Sequence, residues 1–210
     1  MSAAGLRAQL LTTARAMNGL GLNQGTSGNV SVRDGEGFLI TPSALPYDRC
    51  EPEDVVRIDG ADRPQGRRKP SSEWRMHADI YRATPQAGAI LHAHSLYCTT
   101  LACLERGIPA FHYMVAVAGG DSIRCGPYAT FGTQALSDAA VAALRDRSAA
   151  LLGHHGMICH AGDLDRVLAL AVEVETLARI YLQALPVAEP PLLPPAEMAE
   201  VLRRFKDYKA

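Results

Sequence analysis

Residues 89–94 read Ala-Ile-Leu-His-Ala-His, a mostly apolar run that closes on two histidines one residue apart. Such a run suits an extended strand, on which residues i and i+2 project from the same face. A fold containing it must bury a strand and leave two imidazoles side by side at its end. That is the geometry of two ligands on one metal. It also suits two ordinary polar residues at a strand–loop junction, and the His92–His94 pair alone does not separate the two readings.

The chain's 7 histidines are clustered, and a second group, His154-His155-Gly156, follows the apolar run Ala149–Leu152. Adjacent imidazoles between buried segments are costly unless something pairs with them. One of the two can be a third ligand while its neighbour points elsewhere; a hydrogen-bonded core histidine fits equally well. A third signal is Ser71-Ser72-Glu73 at the start of a helical stretch. Free N–H groups and the positive dipole end there suit a phosphate or a carboxylate, or the trio is a plain cap. Three histidines and a nearby carboxylate would meet the usual need of a catalytic zinc site, three protein ligands plus an exchangeable position. The loops Thr26-Ser27-Gly28-Asn29 and Thr41-Pro42-Ser43 offer neutral hydroxyl, amide and backbone donors, able to hold a phosphate without lysine or to serve as ordinary turns.

Between these motifs the periodicity predicts an opening amphipathic helix through Leu6, Leu10, Ala14 and Met17 and a hairpin of 29–33 with 38–41. It also predicts a short strand at 55–58, an exposed loop over 61–70, a helix from Ser71 to about Arg82, and a helix over 97–104. Phe111–Val117 reads as extended. Leu136, Ala140 and Leu144 mark another helix, and Asp163 caps a long one that stops at Pro186. A proline-rich connector, 186–195, leads to a last helix carrying Met198, Val201, Leu202 and Phe205. Helices and hairpin-like strands without strict alternation point to an α/β fold. Its sheet is expected to be mainly antiparallel and covered by helices, in a single domain spanning 1–210.

Composition narrows the function classes. With 210 residues, a formal net charge of −1 and 48% hydrophobic residues, the chain is neither disordered nor an electrostatic nucleic-acid binder. No apolar run reaches the ~20 residues that span a bilayer, and the N-terminus lacks a secretory block. The 5 cysteines are odd in number and without a Cys-x-x-Cys, so they are expected to be reduced thiols in a cytoplasmic protein.

The ordered motifs GTSGNVSVR, ITPSALPYD, PSSEW, LHAHS, IPAFHYMVAVAGG and HHGMICH resemble the class II aldolase/adducin family. Within it they come closest to the aldolases acting on L-fuculose 1-phosphate. The resemblance implies a three-layer α/β/α fold with a mixed, mainly antiparallel sheet, assembled as a homotetramer with active sites at subunit interfaces. It implies one zinc ion per subunit, held by His92, His94, His155 and Glu73, with Glu73 doubling as catalytic base. It implies a phosphate site from Thr26, Gly28, Asn29, Ser43, Ser71 and Ser72, and Tyr113 reaching in from a neighbouring subunit as an acid. Tyr208 would close over the site, and His154 would stand behind the ligands.

The activity implied is reversible cleavage of a ketose 1-phosphate to dihydroxyacetone phosphate and a small aldehyde such as L-lactaldehyde. Other readings are an aldolase for 5-deoxyribulose or 5-methylthioribulose 1-phosphate, an L-ribulose-5-phosphate 4-epimerase, and a non-catalytic adducin-like module. Two departures stand out: only two residues follow Tyr208, and Ala44 stands where relatives often have glycine.

Overall fold

The computed structural model describes the backbone of residues 3–208 and the side chains of residues 4–205. Eight strands form one sheet in the order β4-β3-β2-β1-β5-β8-β7-β6. They are β1 (Asn29–Asp34), β2 (Gly37–Ile40), β3 (Val56–Ile58), β4 (Pro64–Gln65), β5 (Ala89–Ala93), β6 (Arg124–Gly126), β7 (Ala149–Leu152) and β8 (Gly156–Ala161). Every pair is antiparallel except β6–β7, so the sheet is mixed and mainly antiparallel.

Side-chain alternation sorts the strands' residues between two cores. Val30, Val32, Leu39, Leu91, Leu151, Met157 and Cys159 face one core. Helices α1 (Ala3–Gly19), α3 (Leu96–Cys103) and α5 (Leu164–Ala184) cover that face. Phe38, Ile40, Val56, Ile58, Ile90, Ala150, Leu152 and Ile158 face the other core, beneath α2 (Trp74–Ala83) and α4 (Gln134–Ala143). Central strands buried on both sides read as near-continuous apolar runs for this reason. The last helix, α6 (Pro195–Tyr208), begins on a proline, which costs nothing where the first N–H has no helical partner. The connector before it is tied down by Leu193 N–H donating to the carbonyl of Ala110 at 2.9 Å.

Three local expectations are corrected. Phe111–Val117 is not extended: Tyr113–Ala118 is a 3₁₀ helix, its first turn capped by His112 Nδ1 accepting from Met114 N–H at 3.2 Å and its end turned by Gly119 at φ 89°. A short apolar run with aromatic and β-branched residues suits a strand, but local capping wins. The helix expected from Ser71 starts at Trp74. Ser71 Oγ instead accepts the N–H of Glu73 at 3.3 Å, and Glu73 sits at the helix threshold. The 61–70 loop contains a two-residue edge strand, β4, paired with β3.

Candidate metal centre and active-site cleft

In β5, Ala89, Leu91 and Ala93 point into one core, so Ile90 and His92 point to the α2 face, and His94 continues on it just beyond the strand. Register pairs Asn29 of β1 with His92 and places Met157 of β8 opposite Ala93. His155 lies in the tight β7–β8 connection, where its N–H donates to Leu152 O at 3.0 Å. His154, beside it, takes φ 52°, a left-handed conformation in which histidine is found more often than most residues.

The three rings of His92, His94 and His155 meet edge to face, with centroids 4.7–4.8 Å apart. One ring nitrogen from each lies within 4.8 Å of the others. His92 Nδ1 faces the carbonyl of Met157 at 2.8 Å. A carbonyl can only accept, so Nδ1 carries the hydrogen and Nε2 turns its lone pair inward. Burial lowers the affinity of all three rings for protons, that of His155 down to about 4. They are therefore neutral near pH 7, the state a metal requires.

Glu73 completes the group. Its Oε2 is 3.2 Å from His92 Nε2 and its Oε1 3.3 Å from His155 Nε2. The residue is buried, and Oε1 has no hydrogen-bond partner. Burial pushes the carboxyl upward, but the His92 and His155 imidazoles and the Asn29 amide outweigh it and hold it below the ordinary glutamate value. Three clustered imidazoles with a buried carboxylate at their edge, one of its oxygens orphaned 3.3 Å from His155 Nε2, are an arrangement a divalent cation would satisfy, so the residues fit such an ion. The nitrogen-rich set suits zinc among several first-row metals.

The strand end is anchored from α5. Glu175 accepts from Ser95 Oγ at 2.6 Å and from the N–H groups of Tyr97 and Cys98, each at 2.9 Å. A carboxylate at the start of α3 suits its unpaired donors and dipole. Asn23 fixes the other side, its Oδ1 accepting the His94 N–H at 3.1 Å.

A cleft of about 360 Å³ opens over the centre, bordered by Thr26, Gly28, Asn29, Ser43, Ser71, Ser72, Glu73, His94 and His155. All six residues expected at a phosphate site thus share one cleft with His94 and His155, the buried His92 standing outside its lining, and no arginine or lysine lines it among the described residues. Gly28, at φ +71°, packs so tightly on Asn23 that a Cβ there would lie 2.4 Å from the Asn23 amide. Ala44 lines the same wall at φ 55°, a conformation that glycine adopts without penalty.

His154 also borders the cleft but stays outside the three-ring cluster; its Nε2 is 3.4 Å from Glu105 and its ring lies edge-on to Tyr128. Tyr113 is 51% exposed and belongs to a different cavity, beside His112 and α6. Tyr208 ends α6, and its side chain lies outside the described residues. Two residues absent from the sequence-based set, Tyr128 and Phe131, line the cleft while 58% and 66% exposed. The signal was available: two bare aromatics in a loop bounded by Gly126-Pro127 and Gly132, where an exposed aromatic points to binding.

Comparison with known proteins places the chain in a family. The family model for the Class II Aldolase and Adducin N-terminal domain matches residues 8–182. The chain is 54% identical over 203 residues to a 5-methylthioribulose-1-phosphate/5-deoxyribulose-1-phosphate aldolase of Rhodospirillum rubrum, covering 97% of this chain and 92% of that protein. It is 48% identical over 204 residues to the L-fuculose phosphate aldolase of Escherichia coli K12, covering 97% and 95%. A solved structure of an L-fuculose 1-phosphate aldolase superposes with a TM-score of 0.94 at 38% identity, over 98% of both chains. The chain belongs to the class II aldolase and adducin family, and is itself a class II aldolase.

Proposed function

We propose that this enzyme reversibly cleaves a ketose 1-phosphate into dihydroxyacetone phosphate and a small aldehyde, using one zinc ion per subunit held by His92, His94, His155 and Glu73. The observation that carries the reading is the Glu73 carboxylate, placed between His92 and His155 of the three-imidazole cluster on one side and the Asn29 amide on the other. A bound divalent cation supplies Lewis-acid stabilisation of the negative charge that develops beside the carbonyl when the carbon–carbon bond breaks.

The chain's own residues do the rest. Thr26, Gly28, Asn29, Ser43, Ser71 and Ser72 hold the phosphate with neutral donors, which fixes the reacting carbons relative to Glu73. In the condensation direction the ionised Glu73 takes a proton from the reacting carbon of dihydroxyacetone phosphate, and the Tyr113 phenol of a second copy gives one to the aldehyde oxygen. Cleavage is the reverse: Tyr113 as phenolate takes the hydroxyl proton, Glu73 as carboxylic acid gives its proton to the carbon, and exchange with solvent resets both groups. The exposure of Tyr113, away from its own chain's cleft, supports donation to a neighbour in a homotetramer. Tyr208 closes over the site, and His154 supports it from outside the ligand set. The five cysteines, all unpaired, support a reducing, cytoplasmic setting.

L-Fuculose 1-phosphate, yielding L-lactaldehyde, is the substrate favoured by the 48% identical relative; 5-methylthioribulose or 5-deoxyribulose 1-phosphate is favoured by the 54% identical one. An aldehyde pocket discriminates only modestly between such apolar tails. Side-by-side turnover on the three ketose 1-phosphates, read as dihydroxyacetone phosphate release, tests the proposal and ranks them. Conversion of L-ribulose 5-phosphate with no release from any of the three would replace it with the epimerase reading.

A further inference from the structure

Helix α2 and strand β1 share a common pitch where they cross. Four residues of helix rise ~6 Å and two residues of strand ~6.7 Å, so Glu73, His77 and Tyr81 lie over Asn29, Ser31 and Arg33. The contacts follow this match. Asn29 Nδ2 is 2.9 Å from Glu73 Oε2, His77 Nε2 is 2.5 Å from Asn29 Oδ1, Ser31 Oγ is 2.7 Å from His77 Nδ1, and Tyr81 OH is 2.9 Å from Ser31 Oγ. Every member is buried.

The hydrogens in this chain can be assigned by elimination. The Asn29 NH₂ lies on Glu73 Oε2 and the Asn29 carbonyl on His77 Nε2. That carbonyl only accepts, so His77 Nε2 carries the hydrogen. His77 is fully buried and neutral, so its Nδ1 is bare and accepts a hydrogen bond from the Ser31 hydroxyl. Ser31 Oγ then accepts from Tyr81. All four donors point toward Glu73. The Asn29 NH₂ has a second hydrogen, and Asn29 borders the cleft.

We infer that His77 is a positioning residue: through its Nε2–H it locks the Asn29 side chain so that its amide nitrogen faces both the Glu73 carboxylate and the substrate phosphate. A flipped Asn29 would turn its carbonyl oxygen toward two anions. With no donor from His77, the Asn29 carbonyl is left buried without a partner and the contact with Glu73 alone holds the amide in place. The inference rests on the roles proposed above for Glu73 and Asn29.

Two measurements test it. In full-length protein labelled with 15N-histidine and loaded with zinc, ring nitrogen shifts report the tautomer, the His77 signal being identified by its loss in His77→Gln. The Nε2–H form is expected; the Nδ1–H form or an imidazolium overturns the inference. In the second, dihydroxyacetone phosphate release is followed in a double-variant cycle. His77→Leu lowers kcat/KM on the order of 10- to 100-fold, the usual effect of removing a partner behind a site residue. Added to Asn29→Ala, it causes no further loss. His77→Gln, which offers an N–H near the same place, recovers to within a few fold of wild type. Multiplying effects, or a folded Gln variant as impaired as the Leu variant, contradict the inference. Should His77→Leu not fold, as melting would show, the Gln variant and the tautomer decide. A wild-type chain without turnover would remove the aldolase reading and leave the tautomer to decide the donor chain.

Discussion

His92 Nδ1 donates to the carbonyl oxygen of Met157 at 2.8 Å, a bond that crosses from β5 to β8 and aims Nε2 into the three-imidazole centre. Ring orientation and tautomer at the centre are thus set by sheet register before any ion binds. Alanine at His92, His94 or His155 is expected to abolish stoichiometric metal binding. The activity loss should exceed the ~100-fold typical of losing a ligand's hydrogen-bond partner. Metal analysis of dialysed protein alongside turnover checks both.

Glu73→Gln keeps the shape and the Asn29 contact but cannot accept a proton. The variant is expected to retain metal through the three histidines and to lose activity by about 10²- to 10⁴-fold, the range for a positioned acid or base. Exchange of a dihydroxyacetone phosphate C–H proton with deuterated water, followed by NMR, should fall in parallel.

If Tyr113 serves a neighbour's cleft, inactive Tyr113→Phe and inactive Glu73→Gln chains complement each other. Refolding them together as an equal mixture should restore about a quarter of wild-type activity, since one in four random pairings in a ring supplies both intact groups. The separately refolded variants stay inactive.

A Cβ on Gly156 would lie 2.4 Å from the carbonyl oxygen of Ala93 and 3.1 Å from His94 Cδ2. The strands must part to admit it, at the point where the ligands hang. Gly156→Ala is expected to destabilise by about 1–3 kcal/mol, as overpacking does, and to weaken metal retention. Urea unfolding and metal titration measure the two effects.

Asp54 is buried and receives hydrogen bonds from Arg68 at 2.8 Å and Arg67 at 2.9 Å, and from the N–H of Glu51 at 3.0 Å. These bonds, Arg68's foremost, hold its carboxyl well below the usual carboxylate range. A carboxyl depressed in the folded state stabilises above its unfolded pKa of about 3.9, and the contribution fades as pH falls toward the folded value. Wild-type unfolding midpoints should therefore drop below about pH 4, and Asp54→Asn should be weaker at pH 7 with a shallower acid limb. Both arginines belong to the segment that leads into Ser71, so the variant also loosens the approach to the cleft.

The paired histidines of β5 were legible because a strand's two-residue alternation is local and needs no tertiary knowledge. Coverage of the sheet by helices was legible from the mix of helices and hairpin-like strands, whereas its burial on both faces came only from the family resemblance, because which helix crosses which face is a tertiary matter. The third imidazole was readable only as one of two alternatives until the motif order was weighed as a whole, because its approach to His92 depends on the β5–β8 pairing. The His77 chain stayed hidden: Ser31 and His77 are 46 residues apart, and their contact follows from the helix lying on the strand. Phe111–Val117 misled because a short apolar run rich in aromatic and β-branched residues suits a strand as well as a helical turn, while the imidazole of His112, two residues before Met114, closes a turn there.

The central claim is a cation held by three imidazoles and Glu73 that aldol cleavage requires. Its most direct test is dihydroxyacetone phosphate release from a ketose 1-phosphate by protein stripped of metal and then reloaded with one equivalent of zinc. The account predicts no release above background from the stripped protein and full recovery on reloading. Undiminished turnover by protein shown to be metal-free would contradict it.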